Sequence, residues 1–116
     1  MLEYYSIHGS FSFTRQTLYS TGSDPISMSA SHFNNDNQLD IVVTSYFENS
    51  LDIIFGYENG SFTKTTTYIT DSPSYSVTVN DINNDVRPDA VTIKFDDASL
   101  IVFIGSSDGS FEKQML

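Results

Sequence analysis

Two nine-residue segments gather oxygen-bearing side chains in a pattern suited to a hard cation. One reads Asp81-Ile82-Asn83-Asn84-Asp85-Val86-Arg87-Pro88-Asp89, and the other His32-Phe33-Asn34-Asn35-Asp36-Asn37-Gln38-Leu39-Asp40. In the former, Asp81, Asn83, Asp85 and Asp89 stand at positions 1, 3, 5 and 9. Calcium takes about six to eight oxygen ligands at about 2.3–2.6 Å in a tolerant geometry. Alternate positions on a tight turn converge on one ion, and a backbone carbonyl at position 7, that of Arg87, completes the shell with water. The other segment offers less charge. His32 stands where Asp81 does, and a neutral imidazole is a poor ligand for a hard cation. That leaves Asp36 and Asp40 as its carboxylates. Position 6 of such loops calls for a left-handed residue, which Asn37 supplies and the β-branched Val86 supplies only at a cost. Charge therefore favours the Asp81–Asp89 loop and backbone geometry the His32–Asp40 loop. The expectation is that charge prevails. Asn and Asp also build turns with no ion at all, so the placement of the two segments has to decide between these readings.

That placement is a repeat. Shifted by 49 residues, Asn34-Asn35-Asp36 falls on Asn83-Asn84-Asp85, Asp40 on Asp89, Gly56 on Gly105 and Gly60-Ser61-Phe62 on Gly109-Ser110-Phe111. Residues 12–67 and 61–116 share 20 identities in 56 ungapped positions, and chance similarity does not hold one register across loops. The chain therefore holds duplicated units, and repeats of this length signal stacked or radial architectures.

Each unit reads as four short strands. Residues 27–33 and 75–82 alternate, with Met28/Ala30 and Val77/Val79 on one face. Residues 39–46 and 89–95 carry the β-branched clusters Ile41-Val42-Val43 and Val91-Thr92-Ile93 of central strands. Residues 51–56 and 100–105 are nearly continuous apolar runs, and the Thr-rich 62–69 has the polar surface of an exposed edge strand. Asn59-Gly60 and Asp108-Gly109 are strong hairpin signals, and Asp24-Pro25 and Ser72-Pro73 mark crossings between units. No stretch has the 3.6-residue period of a helix. The expected fold is all-β, in four-stranded antiparallel β-propeller blades, with stacked solenoid arrays as the lesser alternative. Residues 1–20 would form the outer hairpin of a preceding blade, 21–70 one blade and 71–116 the next.

With the unit length, the acidic loop and the Gly-Ser-Phe hairpin together, the sequence resembles the FG-GAP/VCBS propeller repeats, including the calcium-binding blades of integrin α chains. The matching pieces are Asn34-Asn35-Asp36-Asn37-Gln38-Leu39-Asp40-Ile41-Val42-Val43 and Phe55-Gly56-Tyr57-Glu58-Asn59-Gly60-Ser61-Phe62. The resemblance implies calcium in the loops and a scaffold role in adhesion, carbohydrate or protein recognition, often outside the cell. By position, it implies the ligands Asp81, Asn83, Asp85, Arg87 (carbonyl) and Asp89. In the weaker copy they are Asn34, Asp36, Gln38 (carbonyl) and Asp40.

Composition narrows the function classes. Fifteen acidic residues against five basic ones give a net charge of −10, which opposes binding to nucleic acid or anionic membrane. No apolar run approaches the ~20 residues of a membrane-spanning helix, and a signal segment, if there is one, lies outside this sequence. Cysteine is absent, which excludes thiol catalysis and cysteine zinc sites. A propeller-type hydrolase or lyase is the rival class, with Asp36/Asp40 or Asp85/Asp89 as acid/base pairs. Catalytic pairs need unlike environments, whereas these recur at equivalent places, so the expectation is a non-enzyme. Tyr46, Phe47 and Tyr57 stand near loop tips, where they either stack on sugars or pack between blades. Two blades and a hairpin leave apolar faces open. The chain is therefore expected to be part of a longer propeller or to assemble as a homo-oligomer that closes one.

Overall fold

The structure, a computed structural model, describes residues 16, 18–21, 23–96 and 98–115. Eight strands follow in chain order: β1 (Pro25–Ser31), β2 (Asp40–Ser45), β3 (Ser50–Gly56), β4 (Phe62–Ile69), β5 (Ser74–Asn80), β6 (Asp89–Lys94), β7 (Leu100–Gly105) and β8 (Phe111–Met115). They form two four-stranded antiparallel sheets, ordered β1-β2-β3-β4 and β5-β6-β7-β8. The described residues contain no helix. The fold is all-β, and the two sheets are successive propeller blades. The hairpin expected within residues 1–20 lies almost wholly outside the described residues.

The strands fall where alternation and β-branching place them, with one informative difference. β1 and β5 stop at Ser31 and Asn80, two residues before the expected ends. The amides of Phe33 and Ile82 leave the ladder and donate instead to the carboxylates of Asp40 and Asp89. A strand ends where its N–H groups find a better acceptor than the neighbouring strand.

Both β3–β4 and β7–β8 turn through a glycine in the left-handed region, Gly60 at φ 85° and Gly109 at φ 88°. Gly60 N–H donates to the Tyr57 carbonyl at 2.9 Å and Gly109 N–H to that of Ser106 at 3.1 Å. Asn59 and Asp108 each accept the amide of the serine two residues on, at 3.0 Å. The hydroxyls of Ser106 and Ser110 at Asp108 pull that carboxyl down to about 2.

One core lies between the blades. Val42, Leu51 and Ile53 of the first blade and Val77, Ala90, Ile101 and Phe103 of the second form a continuous buried cluster. The inner strands meet directly, β5 against β1 and β2, and Val77 N–H donates to Ser27 Oγ at 3.2 Å across the seam. At the outer end Tyr68 of β4 lies 5.7 Å from the rings of both Phe103 and Phe111. Its hydroxyl accepts the Phe111 amide at 2.8 Å. Lys113 adds a surface tie, reaching the Ile69 carbonyl at 2.9 Å and the Asp71 carboxylate at 2.6 Å.

The equivalent runs of the two blades are buried to different degrees. All of β3 but Phe55 is fully buried, whereas β7 begins with Leu100 40 % exposed and β6 carries Ile93 47 % exposed. The first blade has a neighbour on that face, and among the described residues the second has none.

Tyr68→Phe removes the acceptor for a half-buried amide while keeping the ring. It is expected to cost about 1–2 kcal/mol in denaturant unfolding, whereas Phe103→Ala, at a fully buried site, is expected to cost about 3–5 kcal/mol. A Tyr68→Phe protein as stable as the wild type would show that the hydroxyl does not hold the blades together.

Candidate metal site

Each acidic loop is framed by a staple made by its last residue. Asp40 is fully buried, and its two oxygens accept the amides of Phe33 and Gly56, both at 2.9 Å. Asp89, also fully buried, accepts those of Ile82 at 2.8 Å and Gly105 at 2.7 Å. One carboxylate thus pins the start of its loop and the far end of the third strand to the start of the second. The glycines are required by contact. A Cβ on Gly56 would run into the Leu39 carbonyl oxygen, and one on Gly105 into that of Pro88. The amide reaches the carboxylate only because the loop backbone lies directly on the glycine.

Within this frame the second loop curls around its first residue. Asp81 accepts the amides of Asp85 at 3.0 Å and Val86 at 2.8 Å, and Asp85 accepts that of Arg87 at 2.9 Å. Asn84 and Val86 sit in the left-handed region at φ 62° and 72°. Val86 is 90 % exposed, so no packing offsets its strain, which costs about 1–3 kcal/mol. The Asp81 carboxylate on its amide holds it there. The Asp85 carboxyl is lowered from its ordinary value by the Arg87 amide first, then by Asn83 and the Arg87 guanidinium.

These bonds bring Asp81, Asp85 and Asp89 together. One carboxylate oxygen from each lies within 4.8 Å of the others. Donors spaced this closely suit one shared ion, which would draw them in to calcium–oxygen contacts of about 2.3–2.6 Å. Asn83 supplies a further contact. One polar atom of its amide sits 3.0 Å from Asp85 Oδ1 and 3.2 Å from Asp81 Oδ1. With nitrogen inward the amide donates to both carboxylates and the cluster satisfies itself. With oxygen inward three oxygens face one point, an arrangement that a cation stabilises and that repels without one. The donor set, all hard oxygen, fits calcium. The Arg87 guanidinium, 3.3 Å from Asp85 Oδ2, partly fills the same electrostatic role.

The first loop has the same backbone and different chemistry. Asn35 and Asn37 take the left-handed positions at φ 61° and 63°, and Asp36 accepts the Gln38 amide at 2.9 Å. His32 stands in place of Asp81, and its Nδ1–H donates to the Gln38 carbonyl at 3.0 Å. The carbonyl that the sequence suggested as a ligand is thus engaged by the imidazole. Among the described residues, His32, Asp36 and Asp40 form no cluster like that of the second loop. The buried Asn34 Oδ1 has no hydrogen-bond partner.

The segment from the first acidic loop into β6 is what relates this chain to known proteins. A family model described as FG-GAP-like repeat matches residues 32–92, just over half of the chain. The chain belongs to the FG-GAP repeat family. No curated protein and no solved structure matches it. The FG-GAP match begins at the first position of one acidic loop and runs past the last position of the next. It spans three strands of one blade and two of the following, the seam that the buried cluster closes.

Of the aromatics near the loop tips, half-buried Tyr46 packs against Tyr75 and Phe95 of the next blade, with ring centroids 6.0 and 6.5 Å apart. Phe47 projects beside it, 74 % exposed, and Tyr57 is 45 % exposed. Sequence reasoning missed the role of Gly56 and Gly105. Their identity at the 49-residue offset was the available signal, and their use became readable only with the carboxylates beside them.

The staple and the cluster separate experimentally. In chelator, Asp89→Asn is expected to destabilise the fold by about 2 kcal/mol or more, because an amide nitrogen would face one of two buried N–H donors. Asp85→Asn, on an exposed turn, is expected to change chelator stability by under about 1 kcal/mol. Denaturant melts that rank the two the other way would contradict the assignment of Asp89 as the structural carboxylate.

Proposed function

We propose that this chain is a calcium-stabilised FG-GAP propeller module that serves as a recognition or adhesion scaffold, outside the cell, for a protein or carbohydrate ligand. The observation that carries the reading is the convergence of Asp81, Asp85 and Asp89, with Asn83 against two of them. Three carboxylates held this close repel one another, and a divalent cation reverses the sign of that interaction. The ion would tie positions 1, 3 and 5 of the loop to Asp89, and so to the strand ends that Asp89 already binds. Extracellular calcium, on the order of millimolar, suits a site of modest charge.

A non-catalytic role is supported by the same geometry. Asp40 and Asp89 are fully buried, and each has both oxygens engaged by backbone amides. A general acid or base needs a proton path to substrate, and these carboxylates face the protein backbone instead. The recognition surface then falls to exposed groups at the blade ends, among which, of the described residues, Phe47 presents the most uncovered ring. An aromatic face of that kind stacks on the C–H face of a sugar or on an apolar side chain.

Titration calorimetry tests the metal reading. Wild type is expected to bind one calcium ion with its main heat from the second loop, Asp85→Ala to lose that heat, and His32→Asp to gain a second site. Calcium at about 100 times its dissociation constant is expected to stabilise the native state by about 2.7 kcal/mol. Equal heats from wild type and Asp85→Ala would remove the second loop as the principal site.

A further inference from the structure

The seam between the two blades is built from two unlike faces, and the 49-residue repeat puts a second copy of each on the outward sides of the two described blades. The first blade contributes Val42, Tyr46, Leu51 and Ile53 to the seam, and their equivalents on the second blade are Val91, Phe95, Leu100 and Val102. The second blade contributes Val77, Val79 and Ala90, and their equivalents on the first are Met28, Ala30 and Ile41. Each set of equivalents keeps its apolar character, yet among the described residues neither has a further blade against it, and only Phe95 reaches back to the existing seam, against Tyr46 and Tyr75.

Burial follows that logic. On the far face of the second blade Ile93 and Leu100 are 47 % and 40 % exposed, while Val102 beside them is buried. On the near face of the first, Ile26 and Met28 are 43 % and 58 % exposed, and with Pro25 and Val43 they line an apolar groove. The outer half of that near face is already covered, Asp52 and Ile54 being buried and Tyr19 lying 5.4 Å from Phe62. What stays open is the inner half, and the inner strands are what the blades use to meet, β5 resting on β1 and β2.

We propose that a second copy of this chain covers the open face, with β1 of one copy docking on β5 and β6 of the next. The internal seam supplies the pattern of contacts. Val42 and Leu51 against the face of Val77 and Ala90 become Val91 and Leu100 against the face of Met28 and Ile41 of the next copy. The Ser27–Val77 hydrogen bond has its equivalents in Ser76 and Met28, and Ser27 and Ser76 are the same residue type at the same place in the repeat. Because the two faces differ, the contact is heterologous, and copies add head to tail until a ring closes or a filament grows.

The test uses the 116-residue chain and light scattering after size exclusion. The wild type is expected at a multiple of 13.0 kDa. Ile93→Glu and Met28→Glu, both at exposed positions, are each expected to run as a folded monomer by circular dichroism. Each retains one intact face, so mixing them is expected to restore a complex of two chains and no more. A monodisperse 13.0 kDa wild type would overturn the proposal. So would a Met28→Glu protein that stays dimeric, which indicates like faces pairing, or a mixture of the two variants that stays monomeric. The same result is expected in calcium and in chelator, so failure of the calcium site leaves this test intact.

Discussion

A buried carboxylate that accepts two backbone amides from distant points of the chain organises each blade. Asp40 joins Phe33 to Gly56, and Asp89 joins Ile82 to Gly105, in each case reaching seven residues back and sixteen residues forward. Charge-assisted bonds of this kind are about twice as strong as neutral ones. They also fix where the first strand stops, how the acidic loop turns, and where the third strand must come to rest. The close approach of the loop carbonyl to Gly56 and Gly105 follows from the same bonds. The loop is therefore held in shape by the blade itself, and the clustered carboxylates of the second loop inherit a scaffold already set.

On that scaffold the two loops diverge through one substitution. Asp81 gathers the amides of Asp85 and Val86 and so brings three carboxylates to one point. His32, at the same place, donates to the Gln38 carbonyl and closes its loop through that hydrogen bond instead. The first loop has a relaxed backbone with asparagine at its left-handed positions, and the second carries strain at Val86. The strain thus sits in the loop with the denser charge, where the Asp81 carboxylate on the Val86 amide holds the backbone in place.

Much of the fold was legible because the repeat carried it. The strands, both glycine hairpins and the absence of helix among the described residues followed from alternation, β-branching and Asn-Gly or Asp-Gly pairs. Less legible were features that depend on what lies opposite. Leu51 and Leu100 are the same residue in the same kind of run, yet one is fully buried and the other 40 % exposed, because only one has a blade against it. Asp40 and Asp89 read as ion ligands from their spacing, while their engagement by backbone amides needed the third strand in place. The Tyr68 hydroxyl on the Phe111 amide is likewise a product of two blades meeting. In the candidate site, spacing alone identified Asp81, Asp85 and Asp89, but the imidazole on the Gln38 carbonyl had no sequence signal.

The central claim is that the staples stand on their own and the loop is their dependent. Native-state hydrogen exchange on the chain in chelator tests it directly. The Gly56 and Gly105 amides are expected to exchange as slowly as the central amides of β3 and β7, with the loop amides of Val86 and Arg87 faster and slowed on adding calcium. Gly105 exchanging as fast as Val86 in chelator would contradict the account, because the carboxylate would then hold nothing that the ion does not.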